Sequence, residues 1–144
     1  LKEAIVLSQS EAERYISHKP YAIISITDCN IEKQPTFMQS QFLMGILRME
    51  FDDVDTHTEG YTLFNSKQAL QILDFVESIK DDIEILVVHC WAGISRSAGV
   101  AAAIDDLYIE SDKRWFTVKS PNYHVYRTIH NAHRFRDEIE GVIK

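Results

Sequence analysis

Residues 84–104 constrain this chain more than any other segment: they read EILVVHCWAGISRSAGVAAAI. Glu84 to Val88 is a compact apolar run without polar alternation. A strand of that kind is covered on both faces, which points to a parallel sheet between helices and away from a sheet with one wet side. The Ala, Gly and Val residues after Ser97 read as a helix of small side chains. Between strand and helix lies the short segment His89-Cys90-Trp91-Ala92-Gly93-Ile94-Ser95-Arg96-Ser97.

The rest of the chain repeats the strand-then-helix rhythm. Ala4–Leu7 reads as a short strand, and Ser10 with Glu13 as the capping box of a short helix ending near Pro20. Tyr21–Thr27 (YAIISIT) is a buried strand, residues 28–41 a loop, Ile46–Phe51 an alternating strand, and residues 52–60 an acidic loop. Asn65 with Gln68 caps a helix to about Lys80, with Ala69, Leu70, Leu73 and Val76 inward and Ile72 and Ile79 as further candidates. Pro121-Asn122 opens a last helix to about Glu140, with Val125, Ile129, Ala132 and Ile139 inward. The expected fold is a three-layer α/β sandwich: a central, mainly parallel sheet of four to five strands with helices on both faces. A length of 144 residues without a linker predicts one domain over 1–144.

Charge narrows the partners. Asp plus Glu is 22 against 15 Lys plus Arg, a net charge of -7. Nucleic acid and anionic membrane surfaces are therefore disfavoured. The longest apolar stretch, Ala98–Ile104, is far short of the ~20 residues of a membrane span. The opening LKEAIVLSQSEAE has no signal-peptide pattern, and two cysteines make no disulfide framework. The expected compartment is the cytoplasm.

A loop running from a buried strand into a helix N-terminus aims several backbone N–H groups at one spot, with the positive helix end behind them. That is an anion cradle. Gly93 permits positive φ and a close backbone approach. Arg96 brings a planar fork able to grip two oxygens of a tetrahedral oxyanion. The same amides, the helix end and Arg96 favour the Cys90 thiolate, so one loop holds a sulfur nucleophile and a phosphate-shaped socket.

The pattern His-Cys-x2-Gly-x2-Arg-Ser, met here by His89, Cys90, Gly93, Arg96 and Ser97, resembles the signature of the cysteine-dependent protein tyrosine phosphatases. The wording HCWAGISRSAG is most similar to the dual-specificity branch, and Ser120-Pro121-Asn122 is similar to the start of a late helix in that branch. The resemblance implies a tyrosine-phosphatase-like fold and a phosphomonoester phosphatase that needs no metal or other cofactor and works through a phosphocysteine intermediate. It implies a phosphorylated protein as partner, with phosphotyrosine as substrate and phosphoserine or phosphothreonine as further ones. By resemblance Cys90 is the nucleophile, and Trp91, Ala92, Gly93, Ile94, Ser95 and Arg96 hold the phosphoryl oxygens. Ser97 helps the sulfur leave, and His89 orders the loop and lowers the thiol pKa.

The family also needs an Asp as general acid on a loop just after an upstream strand. Strand parity puts Leu47, Met49 and Phe51 on one face and is continued by Asp53, with Asp55 and Asp52 as reserves. Cys29 ends the Tyr21–Thr27 strand and is a candidate partner for Cys90 in a reversible protective disulfide. The order acid-then-cysteine sets the chain apart from low-molecular-weight phosphatases and arsenate reductases. The alternative class is a phosphate- or phosphopeptide-binding module with weak turnover.

Overall fold

The computed structural model describes residues 1–139 and 141. Its strands are β1 (Glu3–Leu7), β2 (Tyr21–Thr27), β3 (Leu43–Glu50) and β4 (Ile85–His89). They form one four-stranded sheet in the order β1-β4-β2-β3, and every pairing is parallel. All four strands therefore end on the same edge, where ligands of open α/β sheets bind.

Side-chain parity divides the core in two. Ala22, Ile24 and Ile26 of β2 join Leu86, Val88 and Cys90 in the larger cluster, under helices α2 (Ser66–Ile79), α3 (Arg96–Ile104) and α5 (Tyr123–Arg134). Tyr21, Ile23, Ile85 and Val87 face the other way, toward Tyr15, Phe37 and Phe42. That second layer is thin, made by the short α1 (Gln9–Glu13), the chain just after it and the aromatic residues of the loop before β3. The expected sandwich and its mainly parallel sheet are present, with four strands.

Local chemistry explains the elements. Asn65 Oδ1 accepts from Gln68 N and Gln68 Oε1 accepts from Asn65 N, the capping box read from sequence. Ala69, Leu70, Ile72, Leu73 and Val76 are buried as the stripe predicts, and Ile79 is partly buried against them. The first helix differs: its box is Ser8 with Glu11, not Ser10 with Glu13. Two boxes overlap in this stretch. The earlier one wins because β1 delivers the chain at Leu7, and Ser10 instead pairs its hydroxyl with Ser8. The helix accordingly ends at Glu13, well before Pro20. β3 begins at Leu43 rather than Ile46, with a register shift opposite Tyr21/Ala22 that passes over Met44.

The helix after the loop also departs from a single run. α3 stops at Ile104, a π-helical turn spans Asp105–Ile109, and Glu110 ends it at φ 58°. Buried Asp105 holds that bend by accepting from Ser111 N and Oγ and from the indole N–H of Trp115. Trp115 opens the short helix α4 (Trp115–Val118), which sequence periodicity did not single out. The last helix breaks after Arg134 and resumes as α6 (Arg136–Ile139). Its expected end at Glu140 lies outside the described residues. Among the described residues no helix is long and apolar enough to cross a membrane.

Candidate active site

The carboxyl ends of the strands assemble one site. β4 delivers Cys90, whose Sγ lies 3.1 Å from Ser97 Oγ. Burial alone would push this thiol up. It is outweighed by the Ser97 hydroxyl and by backbone N–H groups of Ser97, Gly93 and Ile94, which hold the Cys90 pKa below the ordinary thiol value. Arg96, credited from sequence as well, has its charge offset by a carboxylate: Nη1 donates to Asp28 Oδ1 at 2.6 Å and to the Phe51 carbonyl at 3.0 Å.

Arg96 opens α3 and is buried, yet its Nε has no hydrogen-bond partner among the described residues. An orphaned buried donor costs about 1–3 kcal/mol.

Gly93 adopts φ +71°, and a Cβ there would lie 2.6 Å from Leu7 C and 2.7 Å from Ser8 N. The loop thus leans on the end of β1, and the Trp91 carbonyl accepts from Gln9 N. His89 is wholly buried, and burial chiefly pushes its pKa down. Its Nδ1 lies 3.2 Å from the Cys90 carbonyl, which only accepts, so this nitrogen carries the proton. Nε2 then accepts from Ser25 Oγ at 2.6 Å. His89 therefore orients the loop backbone as a neutral ring.

The acid loop comes to the same place. Asp53 Oδ1 accepts from Ser95 Oγ at 2.9 Å and from Asn122 Nδ2 at 3.0 Å. Ser95 is the N-cap residue of α3 but makes no side-chain cap; its hydroxyl is committed to Asp53. Asp52 turns away, its Oδ2 accepting from Thr62 N within its own loop. Asp55 lines the same cleft of about 480 Å³ as Asp53, with Ser95, Asn122 and Tyr123. The sequence-predicted residues Cys90, Arg96, Ser97, His89, Ser95 and Asp53 are brought together. Trp91, Ala92 and Ile94 are the exposed members of the loop.

Three contributors escaped sequence reasoning. Asp28 fixes the guanidinium, and Ser25 holds His89. Asn122, read only as a helix start, caps α5 through Oδ1 to Val125 N while its Nδ2 donates to Asp53 and to the Val54 carbonyl. Its position depends on Gly99, where a Cβ would lie 2.7 Å from the Asn122 carbonyl oxygen. β2 does neighbour β4, and Cys29 and Cys90 are both free thiols. The residues His124, Arg127, His130 and Arg134, at helical spacing on α5, have local partners: His124 Nε2 bonds the Phe64 carbonyl, His130 lies 3.1 Å from Asp106, and Arg127 and Arg134 stack on Tyr123 and Phe135.

The human tyrosine phosphatase-like serine/threonine/tyrosine-interacting protein superposes with a TM-score of 0.58 over 92% of each chain, at 19% identity. The chain has the dual-specificity-phosphatase fold. Human DUSP28 superposes at 0.53 over 94% of each chain, at 12% identity. No family model and no curated protein sequence matches the chain.

Proposed function

We propose that residues 1–144 act as one phosphomonoester phosphatase domain on phosphorylated proteins, with phosphotyrosine as the main substrate and phosphoserine or phosphothreonine as lesser ones. The observation that carries this is the pairing, in one loop, of a thiol held below its ordinary pKa with a buried Arg96 whose Nε has no partner among the described residues. Cys90 thiolate attacks phosphorus; the S–P bond forms as the P–O bond to the leaving group breaks. Loop amides and Arg96 hold the equatorial oxygens as charge spreads over them. Asp53, placed by Ser95 and Asn122, gives its proton to the departing oxygen. In the second step water attacks phosphorus, Asp53 takes its proton, and the S–P bond breaks to return thiolate and inorganic phosphate. Ser97 Oγ stabilises the leaving sulfur through the contact at 3.1 Å. Loop amides and a guanidinium supply the positive charge, so the reaction as written calls on no metal. The reducing cytoplasm is the proposed setting, since it keeps Cys90 free.

The test is p-nitrophenyl phosphate hydrolysis across pH 5–8 with EDTA, for wild type and Cys90→Ser. Turnover that survives EDTA, is blocked by vanadate and disappears in Cys90→Ser is the expected result. A strict need for a divalent cation, or full activity in Cys90→Ser, would overturn the mechanism. Vanadate binding without turnover would make the chain a phosphate-binding module.

A further inference from the structure

A cleft of about 360 Å³, separate from the one lined by Asp53, is bounded by Arg96, the residue that holds the phosphoryl oxygens in the steps above. Its lining includes Trp91, Ile31, Lys33, Thr27, Asp28 and Arg96. Two of these residues are themselves buried and carry polar atoms without a hydrogen-bond partner among the described residues: Arg96 Nε and Thr27 Oγ1, the residues being 6% and 4% exposed. Gln9, Asp28 and Lys33 are polar as well, and the apolar part of the lining is Trp91 and Ile31. Trp91 is 70% exposed although it directly follows the nucleophile, and Ile31 is half-buried. The Trp91 backbone is not free to retract the ring, because its carbonyl is bonded to Gln9 N at 3.1 Å and the loop leans on Leu7 and Ser8 at Gly93. The cleft is therefore polar at Arg96 and Thr27 and apolar at Trp91 and Ile31.

We propose that the Trp91 side chain, with Ile31, is the platform that selects aryl phosphomonoesters, phosphotyrosine in a protein, over the phosphate esters of serine and threonine. The inference rests on the phosphatase reading and names which residue sets its substrate class. A phosphoryl group on Arg96 leaves a phenyl ring beside the indole, where an aromatic pair gains contact beyond simple burial. The short aliphatic arm of phosphoserine or phosphothreonine carries no ring to place there.

The experiment compares one peptide phosphorylated on Tyr with the same peptide phosphorylated on Thr. Binding is measured by calorimetry in Cys90→Ser with and without Trp91→Ala, and kcat/KM in the corresponding active enzymes. Trp91→Ala is expected to weaken phosphotyrosine binding about ten-fold, with the loss in KM, and to change phosphothreonine binding less than two-fold. Trp91→Phe should restore most of the preference. Equal losses on both peptides, no loss on either, or no binding of either peptide would overturn the proposal. If the wild type binds but hydrolyses neither peptide, the phosphatase reading fails. The binding arm still decides the role of Trp91.

Discussion

Removing one oxygen from the site tests how Cys90 is activated. Ser97→Ala deletes the hydroxyl 3.1 Å from Sγ and leaves the backbone amides of Ser97, Gly93 and Ile94 in place. A hydrogen bond to a charged group contributes about 1.5–3 kcal/mol, roughly a ten- to hundred-fold change in the thiolate-to-thiol ratio, so its loss raises the thiol pKa. The sign follows from which form the bond favours. Ser97 stabilises the thiolate, so without it Cys90 ionises at higher pH. Ser97 is fully buried, and replacing a hydroxyl by hydrogen introduces no new polar group into the core. The assay is the rate of Cys90 alkylation by iodoacetamide against pH, read by peptide mass mapping with Cys29 as the second thiol. It requires no turnover. The rising limb of phosphatase activity should move up in pH by the same amount. A Cys90 titration curve unchanged in Ser97→Ala would refute the assignment of the activation to this hydroxyl.

Asn122→Ser keeps a cap acceptor for α5 but removes the amide that holds Asp53. Its kcat on substrates with poor leaving groups should fall several-fold, and wild-type kcat in this variant would refute Asn122 as the positioner of Asp53. Asn122→Ala should lose a further ~1 kcal/mol with the cap, measured by urea unfolding. Gly93→Ala forces a Cβ onto the β1 backbone at positive φ, and should cost about 2–4 kcal/mol and raise the Cys90 pKa; a thermal midpoint within 2 °C of wild type would contradict this, since each ~1 kcal/mol shifts Tm by about 2–4 °C.

Sequence carried the fold where local signals were strong. Tyr21–Thr27 is a strand with the bounds its Ile-rich run predicts, and Asn65 with Gln68 caps α2. Along β3 Leu47, Met49 and Phe51 do face inward, but the alternation ends there: Asp53 is exposed, and its contacts with Ser95 and Asn122 come from the path of the loop rather than from strand parity. The residues missed are those whose partners are remote in the chain. Asp28 meets Arg96, Ser25 meets His89 and Asn122 meets Asp53 across 68, 64 and 69 positions, and no window of sequence holds both members of a pair. Asn122 was also masked by its other role, because a helix cap fully accounts for an Asn before an amphipathic helix. The misplaced first cap had the opposite cause: two equivalent boxes offset by two residues, decided only by where β1 ends.

The lean of the Cys90–Arg96 loop on Leu7 and Ser8 ties the candidate site to an edge of the sheet. β1 is an edge strand, paired on one side only, with β4. Edge elements open locally at a fraction of the free energy of global unfolding. Each time β1 detaches, Gly93 loses its support and the Trp91 carbonyl its Gln9 partner. The anion socket therefore has a shorter lifetime than the core that carries it. The expected outcome on heating or in mild denaturant is that the proposed phosphate binding and activity are lost while α2, α3 and α5 remain packed, inactivation running ahead of melting.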